Sequence, residues 1–266
     1  MFLRVLSVAA FLALFLSPAS ATWSVVAVDA ETGEVGIAGA SCSTGVRLIA
    51  GVVPGKGAVA AQAATSFTGR DLAVEMIGTG ERAHTILERL GEEDLYSWPL
   101  QSRLDTLQYG VVTLRPSPRA GNLTGANVPN DWGSDHGDDF AVQGNTLRPG
   151  VVSAMASAWR MQTVGACRPP FAERLLKTLE AGRDAGGDIR CPLEASSLAA
   201  FLIVARPDDE PGSPSLVLAA PEAFSWPELI WHMAAGYAPD PGAPEPVAHL
   251  RGLYDARLPS NGCAVR

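Results

Sequence analysis

Four segments near the start of the chain are largely apolar and do not alternate: Trp23 to Val28, Glu34 to Cys42, Leu48 to Val53 and Gly57 to Ala64. A strand wet on one face alternates apolar and polar residues, whereas a continuous apolar run is covered on both faces. Turn residues join these segments in pairs. Asp29-Ala30-Glu31-Thr32-Gly33 closes a first hairpin and Pro54-Gly55-Lys56-Gly57 a second. Sheets that must be covered on both sides restrict the chain to a layered architecture.

The period then changes. Thr68 is positioned to cap a helix with Leu72, Ala73, Met76 and Ile77 on one face. Gly78-Thr79-Gly80 breaks it, and Ala83, Ile86, Leu87 and Leu90 continue as a second helix. Extended pieces are expected at Tyr109 to Leu114, Gly121 to Ala126 and Phe140 to Gln143. Helical spacing returns at Val151 to Met161 and Phe171 to Ala181. Ser197 to Ala205 and Ser215 to Ala219 read as a strand pair, and short helices near Trp226 to Ala235 and Val247 to Leu258 finish the chain, joined by the stiff connector from Ala238 to Pro244. Strands, two helices, strands, two helices, strands: two helical layers over a two-sheet core satisfy that order.

Residues 1–21 read as an address rather than as part of the fold. Arg4 supplies a positive start, Val5 to Leu16 an apolar stretch too short to span a bilayer, and Ala19-Ser20-Ala21 a signal peptidase site. The mature chain then starts at Thr22 and is periplasmic or secreted. Cys42, Cys167, Cys191 and Cys263 all lie beyond the leader, where an oxidising compartment favours disulfides in any of three pairings. The spacings contain no CxxC, so a zinc site has little support. A net charge of −8 with no basic run excludes a nucleic-acid footprint.

Familiar catalytic signatures are missing: no GxSxG, HExxH, Walker loop or GxGxxG occurs. The four histidines, at 84, 136, 232 and 249, show no metal-ligand spacing. The loop from Asp131 to Asp139 carries enough carboxylates to suggest calcium, but it lacks the EF-hand spacing and reads better as a plain polar loop. Trp226 and Trp231 fit apolar anchors of one helix better than a carbohydrate-binding surface. Asn122-Leu123-Thr124 matches a glycosylation sequon by pattern alone.

One feature carries chemistry, and processing creates it. Cleavage after Ala21 exposes Thr22 with a free α-amino group beside its own hydroxyl. A Thr hydroxyl needs a base within reach to act as a nucleophile. An α-amine, with a pKa of about 7.7–8.0, is partly neutral near pH 7 and can take that proton directly or through one water. The alternative is an ordinary small residue left by the peptidase.

Several segments resemble the family called domain of unknown function 1028. They include Thr22-Trp23-Ser24-Val25-Val26-Ala27-Val28-Asp29, Thr32-Gly33-Glu34-Val35-Gly36-Ile37-Ala38, Gly57 to Ala63, Gln108-Tyr109-Gly110-Val111-Val112 and Thr124-Gly125. The most specific is Phe140-Ala141-Val142-Gln143-Gly144-Asn145-Thr146-Leu147; Leu175 to Gly182, Gly186 to Arg190 and Pro246 to Tyr254 follow. The resemblance implies an α+β fold similar to N-terminal nucleophile hydrolases, a four-layer αββα sandwich, over 22–236. A short helical tail, 237–266, packs on it. It also implies Thr22 as the nucleophile, while the family supplies no substrate.

Beside Thr22, three residues are expected in catalysis. Asn145 can donate to an oxyanion through its amide, and Gly144 offers unobstructed backbone approach; a tight turn explains the pair equally well. Asp188 pairs either with the Thr22 ammonium or with Arg190. Gln62 ends an apolar strand and either orients a substrate or caps the sheet. Gln143, His136 and Trp132 complete the expected substrate-binding set. No metal or organic cofactor is implied. The expected partner is a small-molecule or peptide-like amide, with a homodimer as the further expectation and no membrane span after processing. The competing reading is a non-catalytic ligand-binding protein that keeps the fold.

Overall fold

The computed structural model describes residues 22–92, 104–129, 131–162, 167–192, 195–221, 242, 244–258 and 264–265. The expected leader, the helix expected near Trp226 to Ala235 with both its tryptophans, and nearly all of the connector lie outside these residues. No helix among the described residues is long and apolar enough to cross a membrane.

The chain has mixed α+β structure. In order it forms β1 (Thr22–Val28), β2 (Val35–Ser41), β3 (Ala50–Val53), β4 (Gly57–Ala63), α1 (Phe67–Thr79), α2 (Ala83–Leu90), β5 (Leu107–Thr113), β6 (Arg119–Thr124), β7 (Gly133–His136) and β8 (Phe140–Asn145). Then follow α3 (Val151–Met161), β9 (Cys167–Arg168), α4 (Phe171–Asp184), β10 (Ala199–Ala205), β11 (Leu216–Ala220), α5 (Pro246–Arg257) and β12 (Ala264–Val265). A six-stranded sheet runs β11-β10-β2-β1-β8-β7, and a four-stranded sheet runs β3-β4-β5-β6. All pairings in both are antiparallel.

Three of the four apolar runs are covered twice; the fourth, Leu48 to Val53, gives edge strand β3, which is only partly buried. Every residue of β1, β2, β4 and β5 is buried. In β1, Trp23, Val25 and Ala27 pack with Met155, Trp159, Leu175 and Leu179 of α3 and α4. Val26 and Val28, pointing the other way, pack with Ala58, Ala60 and Val112 of the smaller sheet. The outer face of that sheet, Val59, Ala61, Tyr109 and Val111, takes Ala73, Ile77, Ile86 and Leu90 of α1 and α2. Val247, Leu250 and Tyr254 of α5 join the same cluster as Trp23, so the C-terminal helix belongs to the main core.

Two local expectations are corrected. Helix α1 is capped by Ser66, whose hydroxyl accepts the Gly69 N–H at 3.0 Å, and not by Thr68. The acidic run at 131–139 is not a plain loop: Gly133–His136 forms edge strand β7 against β8. Its carboxylates point to different partners. Asp135 receives both ends of the Arg160 guanidinium at 2.8 Å, which holds its carboxyl below the usual range. Asp139 accepts the Trp159 indole N–H at 3.2 Å, and Asp138 lies near Arg119.

At the end of β1 remote from Thr22, Asp29 accepts from Arg174. The Arg174 guanidinium is fully buried against Trp159 and Phe171, and burial together with Arg168 lowers its pKa to about 10. This end of β1 is therefore lined by charge, while neutral amides line the space between the sheets at the Thr22 end.

Candidate active site

Thr22 opens β1 between two neighbours, with Ser41 of β2 opposite on one side and Asn145 of β8 on the other. Strand alternation places Thr22 and Ser24 on the same face as Val26 and Val28, which face the smaller sheet. Ser41, Gln143 and Asn145 share that face, and Gln62, Gln108 and Asn122 meet them from β4, β5 and β6. Thr22 is 2% exposed, and its hydroxyl lies 3.4 Å from the Ser41 hydroxyl. The Val28 N–H donates to Asp139 O across the same ladder. Hydrogen-bonded pairs recur every second residue, so the Thr22 nitrogen also faces β8, opposite Asn145.

A lattice of buried amides fills the space between the sheets here. Gln62 Nε2 donates to the Thr22 carbonyl at 3.1 Å and to Gln108 Oε1 at 2.9 Å. Gln62 Oε1 accepts the Ser24 hydroxyl at 2.6 Å, and Ser24 Oγ accepts Gln143 Nε2 at 2.6 Å. Gln143 Oε1 accepts Asn122 Nδ2 at 2.8 Å, and Asn122 Oδ1 lies 3.2 Å from His136 Nδ1. Gln108 Nε2 reaches the Gly144 carbonyl at 3.2 Å, and Asn145 Nδ2 reaches Gln108 Oε1 at 3.4 Å. A buried amide left without a partner costs about 1–3 kcal/mol, which is why the lattice is nearly closed. Two atoms break that closure: Asn145 Oδ1 and Thr146 Oγ1 are buried without a partner.

The backbone around this point is strained. The non-glycine residues with positive φ among the described residues are Ala63 (65°), Thr65 (49°), Asp131 (62°) and Thr146 (53°). Ala63 and Thr65 follow Gln62 at the end of β4. Thr146 follows Asn145, and Asp131 is tied there by accepting the Leu147 N–H at 3.1 Å. All four therefore lie at the Thr22 end of the sheets. Each such conformation costs on the order of 1–3 kcal/mol, and such strain clusters where a fold holds groups for a task.

A loop after α4 closes the site from the β2 side. Asp188 is fully buried and forms an isolated bridge with Leu147. Its carboxylate accepts the Cys42 N–H at 2.9 Å, the Arg190 N–H at 2.9 Å and the Arg190 guanidinium at 2.8 Å. Arg190, one of its two expected partners, engages it directly. A disulfide joins Cys42 to Cys191, selecting one of the three pairings and locking this loop to the residue after Ser41.

The sequence candidates thus separate by position. Gln62 reaches the Thr22 carbonyl and Asn145 is opposite Thr22 on β8, while Gln143 is one face-sharing pair further along, against Ser24, and Asp188 engages the residue after Ser41. Gly144 pairs with Trp23, and a side chain there would lie 2.2 Å from Leu147 Cδ1, so its bareness makes room for packing rather than for open approach. Trp132, 49% exposed, precedes β7 on the rim of this end. His136 is exposed and opposite Ala141, four residues along β8 from Asn145, so it lies roughly 13 Å from the Thr22 end and touches the site only through Asn122.

Gln108, Ser24 and Asn122 were not among the sequence candidates. Gln108 carries the same signal as Gln62, an amide inside an apolar strand. A separate groove of about 370 Å³ runs along the sheet edge between Ala50, Val52, Pro54, Ile203 and Val217. It carries neither a nucleophile nor an acid.

Comparison with known proteins adds the family. No curated protein matches the chain. The structure is similar to the crystal structure of protein SPO2555 from Silicibacter pomeroyi, described with the family DUF1028, at 24% identity, a TM-score of 0.64 and 91% coverage of both chains. That likeness supports the fold alone. The family of unknown function DUF1028 itself matches residues 22–220, and the chain belongs to it.

Proposed function

We propose that this chain is an exported amidohydrolase of the N-terminal nucleophile type, with Thr22 released by removal of residues 1–21. The observation that carries the reading is the place of Thr22. It is the first residue of a central strand, it faces the space between two sheets, and it sits among buried amides and strained turns. Helices, sheet, sheet, helices is also the layer order of an αββα sandwich, which supports the same reading. The family match begins at the same residue.

In this mechanism the Thr22 hydroxyl attacks an amide carbonyl while its proton passes to the α-amine of the same residue. The tetrahedral intermediate collapses as the amine hands that proton to the leaving nitrogen. An ester on Thr22 remains, and water hydrolyses it by the reverse proton path. Ser41, beside the Thr22 hydroxyl, and Gln62, on its carbonyl, hold the residue in place. Peptide-like, acyl-amino or cell-wall amides are the substrates to screen, because an exported protein meets them. Exposed Trp132 on the rim, with Phe67 at the start of α1 and Ile189 on the loop after α4, favours substrates with an apolar group.

The test starts from the exported protein. Intact mass and N-terminal sequencing are expected to give a chain beginning at Thr22 with a free amine. Against an amide library, Thr22→Ala is then expected to lose turnover while retaining ligand binding. A retained leader, or turnover unchanged by Thr22→Ala, would overturn the reading in favour of a binding protein.

A further inference from the structure

The amide lattice has a single internally consistent orientation, and that orientation can be read from its fixed ends. A backbone carbonyl only accepts, so the Gln62 atom on the Thr22 carbonyl is its nitrogen. The second hydrogen of that nitrogen then requires an oxygen at Gln108, and the carbonyl of Gly144 requires a nitrogen at the other side of the same amide. With Oε1 of Gln108 so placed, Asn145 must present Nδ2 to it. What remains of Asn145 is its oxygen, fully buried and without a partner.

We propose that Gln108 is a positioning residue: by taking the Asn145 nitrogen it turns the Asn145 oxygen to accept from the α-amine of Thr22. This rests on the proposed processing at Thr22. A peptide nitrogen carries one hydrogen, which the β8 backbone takes. A released amine carries two, or three when charged, and the additional donors need acceptors. Asn145 is opposite Thr22 in a hydrogen-bonded pair, on the same face, and supplies the vacant acceptor.

The surroundings make this acceptor influential. The strands around Thr22 bring only neutral groups to this face: Ser24 from β1, Ser41 from β2, Gln62 from β4, Gln108 from β5, Asn122 and Thr124 from β6, Gln143 and Asn145 from β8. Asp188 is the carboxylate beside β2, and Arg190 engages it. His136, on β7, is at the remote end of its strand. A correctly turned carbonyl dipole therefore stabilises the ammonium and orients the neutral amine. Asn145 thereby acts on the base rather than only on an oxyanion.

The experiment measures the Thr22 amine in the mature protein without any substrate. Competitive labelling with acetic anhydride across pH, read by mass spectrometry, reports its titration midpoint. Gln108→Met is expected to lower the midpoint by about half a unit or more, because Asn145 is no longer held. Asn145→Asp, which keeps the oxygens, is expected to raise it by about a unit. Gln108→Met is expected to have no effect in an Asn145→Ala background. Asn122→Ala, a comparable loss from the same lattice away from Thr22, is expected to leave the midpoint in place. A free amine whose midpoint ignores Gln108→Met and Asn145→Asp, or follows Asn122→Ala equally, would overturn this proposal alone. A wild-type chain with no Thr22 amine to label overturns the processing reading, and this one with it.

Discussion

Gly110→Ala tests whether the buried amides act as one unit. A side-chain carbon at Gly110 would stand 1.9 Å from Gln143 Oε1, 2.4 Å from its Cδ and 2.7 Å from its Nε2. Carbon atoms of this kind do not approach others below 3.0 Å, so the amide must withdraw by about 1 Å. That stretch breaks the 2.6 Å bond to Ser24 and the 2.8 Å bond from Asn122. Leaving two buried groups unpaired costs about 1–3 kcal/mol each, while the loss of glycine freedom in the unfolded chain returns about 0.4–1 kcal/mol. The expected net destabilisation is about 2–5 kcal/mol by denaturant unfolding. Gln143→Ala empties the volume that the new methyl requires. The double variant should then be less destabilised than the two singles together, with a coupling of about 1–3 kcal/mol. Additivity within about 0.5 kcal/mol would refute the reasoning, because it would mean that Gly110 and Gln143 do not compete for the same space.

Two further outcomes follow from other parts of the fold. Cys42→Ser with Cys191→Ser removes a bridge across 149 residues. The chain-entropy treatment of such a loop gives up to about 5 kcal/mol, so a fall in denaturation midpoint equivalent to about 2–5 kcal/mol is expected, and reductant should lower the wild type more than the variant. Tyr254 has its phenol pushed up to about 12 by burial and by Glu173. Its folded form favours the neutral phenol, so its contribution is intact below about pH 10 and is lost as pH rises toward about 12. Tyr254→Phe should flatten the alkaline unfolding profile in that window, and an unchanged profile would contradict the assignment.

The continuous apolar runs made the two-sided covering of β1, β2 and β4 legible, whereas the equally apolar β3 lies at a sheet edge and is only partly buried. Strand β7 was not legible, because Asp131 to Asp139 is rich in turn formers and takes its strand form only by pairing with β8. In the same way Ser66, rather than Thr68, caps α1 because the strained turn after β4 releases the chain two residues earlier. The site was partly legible. Gln62, Gln143 and Asn145 stand out as amides in apolar strands, but what each does depends on the partner across the sheets, which only packing supplies. Gln108 shows this most directly: it carries the same local signal as Gln62 and acquires its importance from lying between Gln62, Gly144 and Asn145. Cysteine pairing is similarly a matter of approach in space, and the number of cysteines alone leaves it open.

Thr22 is held on both sides of β1. Both neighbouring strands are already paired with Thr22, and every later rung is made by residues that follow it. The proposed cut immediately before Thr22 leaves all of these rungs in place. On the proposed processing, maturation is a change in the chemistry of one nitrogen, in a residue already paired on both sides, with every described rung of β1 left in place.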